Sequence, residues 1–250
     1  MRAYLESFSQ SQNVGRGSSR RIGPLPDVTV LWPDVRHALA GVGSSTPDGG
    51  TLHPHAVAVV VRIAYSGGRS VLLGSDLERA GFEALINDGL TDFTSDVLIY
   101  PHHGGKSAAG TEAAEERFAE ELTRAVNPEV VLFSNGRGRF GTPRREIVRG
   151  VRAARQSPTV RLVCTQLSEH CSATVIPNDG RLDTRFRSAG GAAGASCSGS
   201  VRIDLVGGGP VLPGGRKHMN FVVNGVGAEA MCYPEQGADT QDADIVATAA

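Results

Sequence analysis

Two short stretches carry the side chains best suited to chemistry. The first is Leu72-Leu73-Gly74-Ser75-Asp76-Leu77-Glu78, which sets a carboxylate at the end of an apolar run. The second is Val97-Leu98-Ile99-Tyr100-Pro101-His102-His103-Gly104-Gly105-Lys106-Ser107, which sets a histidine pair at the end of another. Carboxylate and imidazole together are the donor set of a Zn, Mn or Fe centre. The ends of sheet strands are where layered α/β proteins gather reactive groups. Each stretch also has a plainer reading. Asp76 would cap a helix beginning at Leu77, and His102 and His103 would make ordinary polar contacts in a loop. Their order within one strand–helix–strand unit favours the chemical reading.

The cysteines raise a separate question. Cys164 and Cys171 flank Thr-Gln-Leu-Ser-Glu-His, while Cys197 and Cys232 follow at long intervals, with His170 and His218 also in this part of the chain. This is not the close C-x2-C pairing of common zinc knuckles. A closed zinc site, a disulfide and ordinary buried thiols all remain open.

The elements that must position these groups follow from pattern. Val28 to Trp32 reads as a short strand closed by Pro33. Ala56 to Tyr65 is nearly unbroken apolar and β-branched, so it reads as a strand buried on both faces. Ser66 to Arg69 is a turn and Ser70 to Leu73 the return strand of a hairpin. A helix is expected over 78–87, a strand over Asp96 to Tyr100, and a helix from a Thr111 cap to Val126, stopped by Asn127-Pro128. Val130 to Ser134 is a strand, Pro143 opens a helix to about residue 155, and Val160 to Cys164 and Ala173 to Ile176 read as further strands. Val201 to Val206 and Asn220 to Val223 are weaker strand candidates. Strands alternating with helices make the class α/β, or α+β layered.

Composition bounds the rest. Lys plus Arg is 25 against 26 Asp plus Glu, so bulk charge does not indicate a strongly basic nucleic-acid binder. A local basic cluster exists: Arg137, Arg139, Arg144, Arg145, Arg149, Arg152 and Arg155, with 145, 149 and 152 on one helix face. It is either a solvated face or a track for phosphates to which Lys106 adds. The start, Met1 to Arg21, is polar without an apolar core, and no run is long enough to span a membrane. The cytoplasm is the expected compartment, where thiols stay reduced. Three parts are expected: a flexible leader over 1–27, a domain over 28–180, and a Gly-rich extension over 181–250 with a loose acidic tail.

The succession of strand, turn, strand, Gly-x-Asp-Leu-Glu, helix, strand, Pro-His-His-Gly, helix, Asn-Pro and strand resembles the distal half of metallo-β-lactamase-fold hydrolases. The nuclease-like domain of ComEC-type competence proteins is the nearest likeness, and Leu31-Trp32-Pro33 resembles its Leu-Trp-Pro. The resemblance covers roughly residues 28–176. It implies an αββα sandwich with one or two Zn ions, or Mn, at the sheet edges, activating water against a phosphodiester. It places Asp76, His102 and His103 in the metal shell, with Asp76 and His103 as catalytic groups.

The chain departs from that pattern in its first half. The family's His-x-His-x-Asp-His motif is absent. His53-Pro54-His55 has the opening spacing, but Val57 and Ala58 stand where Asp and His are required, so it reads as a loop. Gly141-Thr142-Pro143 replaces the family's Gly-His-Pro, and Gly105 its Ser. Two or three ligands would hold metal weakly, and hydrolysis by the chain alone is expected to be slow or absent. The alternative is a non-catalytic truncated homologue that binds a partner protein or nucleic acid. Without the first half, one face of the sheet lacks its partner layer. Either residues 188–223 fold back over it, or self-association or a partner chain covers it.

Overall fold

The computed structural model describes residues 19–20, 26–44, 53–87, 89, 92–138, 140–154, 160–176, 194–207, 211–213 and 215–233. Most of the expected leader, Arg139, Arg155, residues 188–193 and the acidic tail beyond 233 lie outside them.

Among the described residues a seven-stranded sheet runs in chain order: β1 (Ser19–Arg20), β2 (Asp27–Trp32), β3 (Val60–Ala64), β4 (Ser70–Leu73), β5 (Val97–Ile99), β6 (Val130–Phe133) and β7 (Arg161–Cys164). The first four strands pair antiparallel and the last four parallel. Parallel neighbours need a crossover, and each gap holds a helix: α2 (Arg79–Asn87), α3 (Glu112–Val126) and α4 (Arg145–Ala154). A short α1 (Val35–Ala40) follows β2, and α5 (Gly215–Asn220) runs into a π-helical turn, Phe221–Val226. The α/β class is thus observed. Thr111 caps α3 through its side chain, which accepts from the Ala114 N–H, and Asn127 closes the helix in the left-handed region.

Side chains alternate across the sheet, so each central strand serves two cores. Leu72, Leu98, Val131, Phe133, Leu162 and Cys164 point to the helices, against Phe82, Leu85, Phe118, Leu122, Ile147 and Val151. Val71, Val97, Val130, Leu132 and Val163 point the other way and are covered by Val201, Ile203, Leu205, Val211 and Leu212. Among the described residues, the face expected to lack a partner is therefore covered by the chain itself. The cover is tied down where the Arg69 N–H donates to the Leu205 carbonyl, 2.8 Å away. Gly68 makes that approach possible, since a Cβ there would stand 2.3 Å from the Leu205 oxygen.

Several expectations need correction. Residues 56–65 are not one strand buried on both faces. Pro54–Val57 form a 3-10 turn, the strand begins at Val60, and only Val60 within it is buried. β3 lies toward the antiparallel side of the sheet, whereas the helices cover mainly β4 to β7, where β6 is buried throughout. Ala173 to Ile176 and Val201 to Val206 form no ladder; the latter cover the sheet by side-chain packing. Asn220 to Val223 are helical, and Val222 is buried in the helix-side core. Short apolar runs do not fix their own period, and here packing chose helix.

Candidate functional site

The parallel strands end together, so the loops after β4, β5 and β6 share one edge. Asp76 stands in the turn after β4; α2 begins only at Arg79, so the helix-cap reading does not account for it. His102 and His103 form a 3-10 turn directly after β5. The His102 N–H donates to the Ser75 carbonyl at 2.8 Å, locking the two loops together. Ser75, His102 and His103 all have positive φ (52°, 52° and 58°), a region costing a non-glycine residue about 1 kcal/mol. Such clustered strain marks functional loops more often than inert ones.

The surroundings hold these loops. Gly104 follows with φ +78°, and a Cβ there would lie 2.6 Å from Pro143 Cβ, so the turn packs tightly on the loop before α4. The Arg144 N–H donates to the Gly104 carbonyl. Beyond the pair, Ser107 N and Oγ donate to the buried Glu115 carboxylate at 2.7 and 2.6 Å, with Ala109 N at 3.1 Å. His103 Nδ1 lies 2.6 Å from the Ser134 carbonyl at the end of β6. A carbonyl only accepts, so Nδ1 is the donor, and Nε2 of this exposed ring is the nitrogen left for a ligand.

The residue that sequence reasoning set aside is the one the fold brings in. His55 Nδ1 lies 3.7 Å from Asp76 Oδ2, and the His55 ring stacks on His102 at 4.9 Å between centroids. The cause is the hairpin. β3 and β4 pair antiparallel, so the chain just before β3 must lie beside the chain just after β4. Trp32, fully buried, fixes the height of that turn by donating its indole N–H to the Ala56 carbonyl at 2.7 Å. The hairpin itself was readable and held this signal. His53, by contrast, is exposed at the start of the turn and caps nothing with its side chain.

The donor set His55, Asp76 and His102 fits a divalent metal in kind. His102 Nδ1 is buried without a hydrogen-bond partner, as an unused donor or acceptor would be. The set is open, however. Among the described residues, the three-residue group whose ligating atoms all lie within 4.8 Å of one another is elsewhere: Cys197, His218 and Cys232.

That second group is fully enclosed, and it could hold a metal ion. None of the four cysteines is in a disulfide, and all are buried. Cys197 Sγ is 3.2 Å from His218 Nε2. A hydrogen bond from Cys197 holds the Cys232 thiol well below the ordinary range despite burial, with His218 adding to the effect. The same bond, together with burial, pushes Cys197 up. Burial raises Cys164, and it pushes Cys171 up to about 11.

The basic cluster turns out to be occupied by the protein's own groups. Arg137 donates to the carbonyls of Leu167, Ser172 and Ala173, Arg145 to His170, and Arg152 to Met231 and Tyr233. Arg149 pairs with Glu116 and Arg144 with Glu146. Arg137, Arg144, Arg145, Arg149 and Arg152 thus each contact the protein itself, while Arg139 and Arg155 lie outside the described residues. Among the described residues, no helix is long and apolar enough to cross a membrane. Against protein-family models, curated proteins and solved structures, the chain has no match.

Proposed function

We propose that the chain is a metal-dependent hydrolase of the metallo-β-lactamase kind, ComEC-like and directed at phosphodiesters. The observation that carries this reading is the meeting of His55, Asp76 and His102 at the carboxyl ends of β4 and β5. Zn or Mn held by these residues, with His103 beside them, would supply Lewis-acid activation of the phosphoryl group. Asp76 faces His55 and orients its ring. The Ser134 carbonyl holds His103 Nδ1 as the donor, so that Nε2 is the nitrogen left for a ligand. His102 keeps a buried nitrogen in reserve within the same turn. Three donors in an open set make a weak centre, so turnover is expected to be slow.

The test is hydrolysis of an activated phosphodiester and of short DNA and RNA strands by the full chain with added Zn or Mn. Metal-dependent cleavage that disappears in Asp76→Ala and His102→Ala supports the reading. No cleavage at saturating metal would leave the non-catalytic homologue.

A further inference from the structure

The structure assigns Cys197, His218 and Cys232 to a buried zinc site that joins the two ends of the segment covering the sheet. Two cysteine sulfurs and an imidazole within 4.8 Å of one another are a soft donor set that suits zinc. All three residues are buried, and His218 is only 1% exposed. The protein's own hydrogen bonds do not account for a histidine there, since Nε2 faces a thiol and Nδ1 has no partner. A buried, closed donor set leaves no position for substrate, so the role is structural.

Two further buried thiols belong to the same core: Cys164 at the end of β7, and Cys171, whose Sγ accepts the Met231 N–H at 3.4 Å. Either would complete a four-coordinate site, and the variants below tell them apart.

The spacing gives the site a purpose. Cys197 and His218 bracket residues 201–212, the segment that covers the second face of the sheet. That cover has no ladder of its own and few backbone bonds to the sheet. Joining the two ends of its loop removes freedom that its packing would otherwise have to restrict. As zinc enters, each ligating thiol forms a Zn–S bond and releases its proton to solvent; no electrons move.

The experiment uses the full chain, reduced and loaded with zinc, then dialysed and assayed for metal content. A parallel sample takes cobalt, whose thiolate charge-transfer and tetrahedral d–d bands report the ligand set. We expect one bound metal per chain and a tetrahedral thiolate spectrum. Cys197→Ser, His218→Ala and Cys232→Ser lose the metal, and so does one of Cys164→Ser and Cys171→Ser. The double variant Asp76→Ala/His102→Ala also keeps it, so failure of the phosphodiesterase reading leaves this site standing. The wild-type cobalt spectrum does not depend on any variant folding. Its absence, metal retained in Cys232→Ser, or a Cys197–Cys232 disulfide in the zinc-treated chain would overturn the site. Retention in both Cys164→Ser and Cys171→Ser would overturn a fourth ligand from these thiols.

Discussion

The two clusters set similar donors in opposite surroundings. His55 and Asp76 keep 42% and 43% of their side-chain surface in solvent, and Asp76 follows Ser75, which stands in the left-handed region. Cys197, His218 and Cys232 are buried and join three chain segments distant in sequence. An exposed set can admit substrate but holds an ion loosely. A buried set holds an ion firmly and admits nothing else. Helix α4 lies between them. Its start is tied to the histidine loop through the Arg144 N–H and Gly104, and its end reaches Met231 and Tyr233, beside Cys232, through Arg152.

The largest effect expected from this contrast is on chelation. A bound ion stabilises by about 4 kcal/mol at a thousandfold excess over its dissociation constant. Stripping metal from the zinc-loaded chain should lower its melting temperature, and equally so in Asp76→Ala/His102→Ala. A melting curve indifferent to chelator in both proteins would erase the distinction between the clusters.

Next comes the cover that the buried site is proposed to hold. Leu212 is 3% exposed in the second core. Leu212→Ala should cost about 2–5 kcal/mol in denaturant unfolding, the range for a buried leucine. A loss under half a kcal/mol would mean that the sheet does not depend on this layer.

Arg152→Ala removes two charged hydrogen bonds to carbonyls and should cost about 1–3 kcal/mol. It should also speed amide exchange over 215–233 while leaving 97–107 unchanged. Equal exchange in both regions would show that α4 does not separate the two sites as described.

A smaller effect concerns pH. Burial works to raise the Glu146 carboxyl, but the Arg144 guanidinium bonded to it wins and holds it below the ordinary range. A folded value below the unfolded one adds stability above the unfolded value of 4.5, lost as pH falls through the folded one. For a partly exposed pair this is worth about 0.5–1 kcal/mol. Glu146→Gln should flatten the acid limb of the stability curve, which urea titrations from neutral pH downward would read.

The smallest effect falls on the open cluster. His55→Ala should change stability by less than about 0.5 kcal/mol, as at other exposed positions, while abolishing metal-dependent hydrolysis. A large stability loss would make His55 a structural residue.

The sequence was most legible where one element could be read without its partners. The Thr111 cap, the helix it opens and the strands at β5 to β7 are local patterns, and they fold as written. Asp76 and the His102–His103 pair were visible because each directly follows an apolar run. His55 was not, because its place depends on the β3–β4 pairing and on Trp32 beneath it. The function of residues 201–212 was equally hidden. Their apolar side chains suit a strand, yet their work is to cover another sheet, and no local period encodes that. The cysteines show the boundary most plainly. Their number and types were there to read, with zinc, disulfide and plain thiols all left open. Only the tertiary structure could gather Cys197, His218 and Cys232 into one buried group, because ligand geometry is set by distances in space, and these residues stand 21 and 14 positions apart in the chain.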